Sequence, residues 1–134
     1  MSKILEQIFD TGYAVKEVKL AKGKYKAKVK NLSAEEQLGI ESKLSTYNDK
    51  SSAYVLHQYS IHILEQTVLS LNGDDYKPGS AALSKVLGKL PTPIVDALIQ
   101  AQNKFEKEIA KLINPDQVDK TFFEKESTQE GSGQ

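Results

Sequence analysis

Apolar residues along this chain recur with two different periods, and the switches between them mark out the elements. From Lys3 to Asp10, Ile4, Leu5, Ile8 and Phe9 share one side at helical spacing, and Gly12 follows as a C-cap, which predicts a short amphipathic helix. Between residues 14 and 30 the period drops to two. Val15-Lys16-Glu17-Val18-Lys19-Leu20 leads through Ala21-Lys22-Gly23 into a second run that puts Tyr25, Ala27 and Val29 on one face and Lys24, Lys26, Lys28 and Lys30 on the other. This pattern predicts a β-hairpin, with Gly23 supplying the positive φ of a tight turn. Two strands alone are marginal in water, so the apolar face must lie on a helix or pair with another element.

After residue 30 the helical period returns. Asn31-Leu32-Ser33-Ala34-Glu35-Glu36 reads as a capping box, Ser33 capping and Glu36 reaching back to the Ser33 amide. Leu32 and Gln37 hold the positions of a hydrophobic staple, of which only Leu32 is apolar. The helix is expected to reach about Tyr47, with Leu38, Ile40, Leu44 and Tyr47 inward and Glu35, Glu36, Glu41 and Lys43 outward. A longer helix is expected over about Ser52 to Leu71. Its apolar residues (Tyr54, Val55, Leu56, Tyr59, Ile61, Ile63, Leu64, Val68, Leu69 and Leu71) cover most of the circumference, as in a central helix. Asn72-Gly73-Asp74-Asp75 stops it, and a short strand over Val68–Leu71 is the alternative reading.

Beyond Pro78-Gly79 a shorter helix aligns Leu83, Val86, Leu87 and Leu90. The last helix is expected to open with Thr92 as N-cap and Pro93 in its first position. Ile94, Val95, Leu98, Ile99, Phe105, Ile109, Leu112 and Ile113 then recur at three and four residues, with Lys104, Glu108 and Lys111 opposite and Lys104–Glu108 at pairing distance. Asn114-Pro115 ends it. Residues 115–134 are charged, close on Gly131-Ser132-Gly133-Gln134 and are expected to be a flexible tail, Phe122-Phe123 being its apolar exception. The expected fold is mainly α (α+β). One domain over residues 1–114 has an N-terminal helix and a hairpin (14–30) packed on a compact bundle of about four helices.

Composition narrows the function. Apolar residues at 39% and charged residues at 27% fit a globular domain with one core, and no apolar run is long enough to span a bilayer. Glu6 and Asp10 interrupt the segment that a signal peptide would keep apolar, so a cytoplasmic location is expected. Cysteine is absent, which excludes disulfides, thiolate catalysis and cysteine-bound zinc. All 18 basic residues are lysine, balanced by 18 acidic ones. Without a guanidinium fork or net positive charge, nucleic acid is a weak candidate partner.

Chemistry-bearing motifs are missing. His57 and His62, five apart, lie about 140° apart on a helix, unlike a metal-binding pair at four. There is no Gly-x-Ser-x-Gly elbow, no phosphate loop and no dinucleotide fingerprint. Asp74-Asp75 lacks the spacing and terminal glutamate of a calcium loop. No catalytic residue, metal or cofactor is expected. The features left are surfaces. Tyr47, Tyr54, Tyr59 and Tyr76 fall in the middle third, where tyrosine suits either core packing or an interface, and Phe122-Phe123 is either docked or an anchor. The row Lys24, Lys26, Lys28 and Lys30 is either a solvated face guarding a strand edge or a basic patch for an acidic protein or phosphates.

The order of these segments resembles the tail-assembly and baseplate-hub assembly chaperones of tailed bacteriophages. The likeness runs from Val15 to Ile113. It lies in the lysine-rich hairpin, Val29-Lys30-Asn31-Leu32-Ser33-Ala34-Glu35-Glu36, the helix pair, Val68-Leu69-Ser70-Leu71-Asn72-Gly73, and Leu90-Pro91-Thr92-Pro93-Ile94-Val95-Asp96-Ala97-Leu98 entering a long helix. No arginine stands near Lys28-Val29-Lys30, where such proteins often carry Arg-Pro-Leu-Thr. The resemblance implies a non-enzymatic protein in the host cytoplasm that holds an apolar helical partner, typically the tape-measure protein, during virion assembly. A structural tail or baseplate component that stays in the virion is the alternative it implies. A homo-oligomer and, more remotely, a nucleic-acid-binding module with a lysine hairpin stay open.

Overall fold

The computed structural model describes residues 2–114, so the tail read over 115–134, with Phe122 and Phe123, lies outside the described residues. Among the described residues the chain is an α+β fold of five helices and one four-stranded antiparallel sheet. In order these are α1 (Lys3–Thr11), β1 (Val15–Leu20), β2 (Tyr25–Lys30), α2 (Ala34–Leu44), α3 (Ser52–Thr67), β3 (Val68–Leu71), β4 (Asp74–Asp75), α4 (Ala81–Lys89) and α5 (Thr92–Ile113).

The first hairpin forms where the alternation asks for it, Val15 facing Lys30 and Leu20 facing Tyr25. Its turn holds three consecutive left-handed residues, Ala21 (φ 53°), Lys22 (φ 58°) and Gly23 (φ 86°), and the Gly23 amide donates to the Leu20 carbonyl at 3.0 Å. This is the primed turn whose twist matches that of the strands. Only Gly23 enters that region freely; a side chain with a Cβ costs roughly 1–2 kcal/mol there, and asparagine costs less. Lys22→Asn is therefore expected to stabilise the protein by about 0.5–1 kcal/mol, read as a raised urea midpoint at unchanged slope.

A second hairpin replaces the C-terminal end expected of the long helix. The helix stops at Thr67, and Val68, extended at φ −75° and ψ 127°, is both its cap and the first residue of β3. Asn72 (φ 49°) and Gly73 (φ 96°) then join Leu71 to Asp74 in a two-residue turn. β3 pairs with β2, which becomes an inner strand, so its lysines do not guard an edge; β1 and the short β4 are the edges. The physical reason is burial: Val68 and Leu71 join the core under the helices, and pairing satisfies the free side of β2. Val29 faces Val68 and Lys28 faces Ser70, so Leu69 is the extra residue of a bulge.

The core lies between the sheet and the helices. α5 buries Val95, Leu98, Gln102, Phe105 and Ile109 at alternating steps of three and four. Leu83 and Leu87 of α4 and Leu64 of α3 meet them, with Val18, Ala27, Val29, Val68 and Leu71 from the sheet. Several details differ from the sequence expectations. Thr92 is already helical and Pro91 holds the cap position without a side-chain bond, its carbonyl accepting from the Ile94 and Val95 amides at 2.9 and 3.2 Å. Glu108 pairs across to Lys16 of β1 at 3.4 Å and not along the helix to Lys104. Leu112 and Ile113 are exposed because a 22-residue helix, about 33 Å long, outruns six-residue strands of about 20 Å. Phe9 of α1 also points to solvent, while Ile4 and Ile8 pack on the core.

The largest departure concerns α2 and α3. α3 is not buried all round: its buried residues, Ile63, Leu64 and Thr67, all fall near its C-terminal end. Tyr54 and Leu56 in its first half are exposed. α2 packs on α3 and buries Ile40 alone, while Leu38, expected inward, is solvent-facing. α3 also packs on α4 and α5, so the helices gather as a bundle, with α2 and the first half of α3 as its outer arm.

Candidate binding site

Where the arm meets the body, α2, α3 and α5 enclose a groove of about 360 Å³. Ser33 and Gln37 line it from α2, Tyr59 and Ile63 from α3, and Gln102 and Glu106 from α5. Its floor is a fixed hydrogen-bond network. The Gln102 Nε2 donates to the Lys30 carbonyl at 2.9 Å and to Glu106 Oε2 at 2.8 Å, and the Leu32 amide donates to that same Oε2 at 2.7 Å. Both partners of the Gln102 nitrogen are pure acceptors, which sets the orientation of its amide. Gln102 is fully buried, and its Oε1 has no partner among the described residues. Above the floor, Gln37 Nε2 donates to Glu41 Oε2 at 2.9 Å and to the Tyr59 hydroxyl at 3.3 Å. Gln102 is absent from the residues expected to bind, although the sequence carries a signal for it. It is a glutamine at an inward step of α5, between Leu98 and Phe105, where burial forces an amide to find partners.

The capping box read from the sequence holds the rim of this groove. The Glu36 amide donates to Ser33 Oγ at 3.1 Å and the Ser33 amide to Glu36 Oε1 at 2.9 Å. Lys30 joins it, its Nζ 2.7 and 2.9 Å from the two Glu36 oxygens. Burial pushes the Glu36 carboxyl up, but the bonds from Lys30 and Ser33 outweigh it and hold the group below its ordinary value of 4.5. A group with a depressed folded pKa adds stability that is complete above the unfolded value and fades as pH falls through the folded one. Stability should thus decline as the medium is acidified below about pH 4.5, and Glu36→Gln should lower stability at pH 7 while flattening that acid limb. Denaturant melts across pH 3–7 would check this prediction.

The four tyrosines do not form one patch. Tyr47 and Tyr54 meet edge-to-face at the tip of the arm, ring centroids 5.5 Å apart, with the Lys50 ammonium 5.8 Å from the Tyr54 ring. Tyr59 stands in the groove, and Tyr76 packs beside the core at the far end of the sheet, as Tyr25 does. Tyr47 also enters a chain of bonds. The Glu65 carboxylate can only accept, so His62 Nδ1 donates to it at 3.0 Å, and in the neutral ring Nε2 accepts from the Tyr47 hydroxyl at 3.2 Å. Ser84 of α4 donates to the other Glu65 oxygen at 2.7 Å. The chain ties the loop after α2 through α3 to α4, so its geometry is that of a clamp across three segments. His57 is exposed on the first half of α3.

The lysine row is also divided. Lys24, Lys26 and Lys28 are exposed, whereas Lys30 is held by Glu36 with only 12% of its side chain exposed. Directly opposed residues share a face, so one row on the open side of the sheet runs Glu17, Lys28, Ser70, Asp75. Lys16 faces the other way, 6.0 Å from the Phe105 ring centroid. Lys19 faces Lys26 on the same side, so the positive charge gathers toward the first turn and is broken by Glu17 and Asp75.

Comparison with protein-family models, with curated proteins and with solved structures returns no match. Among the described residues no helix is long and apolar enough to cross a membrane, and no group of three or more His, Cys, Asp or Glu could hold a metal ion.

Proposed function

We propose that this chain is a non-enzymatic assembly chaperone of a tailed bacteriophage, holding an apolar helical partner such as the tape-measure protein on the arm of α2 and α3. The observation that carries this reading is the exposure of Leu38 and Leu56, 67% and 66%, on two packed neighbouring helices. Large aliphatic side chains held out by a fixed scaffold are anchor points for an amphipathic helix. Tyr47 and Tyr54 offer a second contact at the tip, on another side of α3 from Leu56, with rings that combine apolar area and a polar edge. The segment order likened above to tail-assembly chaperones supports the same reading. The working place is the host cytoplasm, where such a partner is made.

Co-expression with the tape-measure protein of the same phage tests it. A soluble complex that co-elutes on size exclusion is expected, with the partner precipitating when expressed alone. A partner that is soluble by itself and never co-elutes would remove the chaperone reading. Detection of the chain at fixed copy number in purified particles would make it a structural component instead.

A further inference from the structure

The groove between α2, α3 and α5 has a chemical bias that the leucines of the arm do not explain. The donors of its floor are spent: the Gln102 amide protons go to Lys30 and Glu106 and the Leu32 amide to Glu106, while the amide protons of Gln37 above it are directed at Glu41 and Tyr59. What remains unengaged in the floor is acceptors. Gln102 Oε1 is buried without a donor, and Glu106 engages only its Oε2, leaving the second carboxylate oxygen unused. Glu106 is in none of the ion pairs Lys16–Glu108, Lys30–Glu36 and His62–Glu65, so its carboxylate is open to a cation.

We propose that this groove seats a cationic side chain, arginine or lysine, of the protein partner. The inference rests on the partner-binding reading above but on different atoms. A guanidinium or ammonium offers donors and no acceptor, which complements an orphan amide oxygen beside a lone carboxylate. An acidic side chain would set acceptor against acceptor, and an apolar one would leave Gln102 Oε1 unsatisfied, so the same atoms also exclude. A volume of about 360 Å³ is ample for one long side chain with bridging water.

The test is a titration of the ¹⁵N-labelled full chain with N-acetyl-arginine amide, against its neutral isostere N-acetyl-citrulline amide. Arginine should move the Gln102 side-chain amide and the Leu32 and Asn103 backbone amides saturably, and bind about fivefold more tightly than citrulline. Glu106→Gln should abolish the preference. Asn103→Lys, at an exposed groove residue that can change without unfolding the chain, should block binding by supplying a cation of its own. Equal binding of the two probes, no saturable shift, or an arginine response untouched by Asn103→Lys overturns the proposal. A negative titration with the co-expressed complex intact sinks the cation seat alone. A positive titration without a complex sinks the chaperone reading alone.

Discussion

Truncating Phe105 to alanine should remove about 3–5 kcal/mol of unfolding free energy, the largest single-residue loss expected in this protein. Phe105 is the largest fully buried side chain and lies within the buried stripe of α5, between Gln102 and Ile109. Deleting the ring forfeits its transfer energy and leaves a cavity among rigid neighbours, since Val18 and Val29 belong to a hydrogen-bonded sheet that cannot simply collapse inward. A second loss adds to this. The Lys16 ammonium, which reaches Glu108, also lies near the Phe105 ring and helps hold the edge strand β1 on α5. A domain of this size has about 5–15 kcal/mol in total, so the variant should sit near the limit of folding. Phe105→Leu keeps most of the volume and should cost clearly less. Urea unfolding of the three proteins gives the order, and a loss under about 1 kcal/mol for the alanine variant would contradict the packing described above.

Replacing Leu38 and Leu56 together by lysine should leave folding almost untouched and eliminate partner binding. Both side chains are largely in water already, so the change in stability should stay within about 0.5 kcal/mol per site. On the bound partner each leucine would gain roughly 1.5–3 kcal/mol of burial. Losing both, before the cost of desolvating two ammonium groups, weakens the complex by more than about a hundredfold. The measurements are a thermal melt of the free variant and co-elution with the tape-measure protein. Retained co-elution at wild-type level would move the binding surface away from the arm.

The readability of this fold varied by element, for identifiable reasons. The hairpin of β1 and β2 was plain because its two faces differ so sharply, three apolar residues against four lysines in β2 and its approach. The capping box at Ser33 and Glu36 was plain because it is a local device that needs no tertiary partner. The α3–β3 boundary was harder. Val68-Leu69-Ser70-Leu71 continues an apolar helix without a break, and a short apolar run does not by itself separate helix from strand. The deciding clue is Asn72-Gly73, which favours the alternative of a short strand over Val68–Leu71, since Asn-Gly beside an apolar run is a strong hairpin signal.

The arm misled in the opposite direction. Ten apolar residues between Tyr54 and Leu71 imply a surrounded helix if every one of them is counted as core. Periodicity records which residues prefer to leave water, not whether the chain itself supplies a cover, and Leu56 has none. The groove was less legible still. Leu32, Gln102 and Glu106 meet across more than 70 residues of chain, and nothing local announces the pairing.

No linker separates α3 from β3, since Val68 ends one and begins the other. The arm and the sheet therefore behave as one crankshaft: a torque on the outer helices has no slack in which to dissipate. A cargo seated on the arm should make itself felt at the Asn72–Gly73 turn, where slowed amide exchange would report loading without a label near the contact surface.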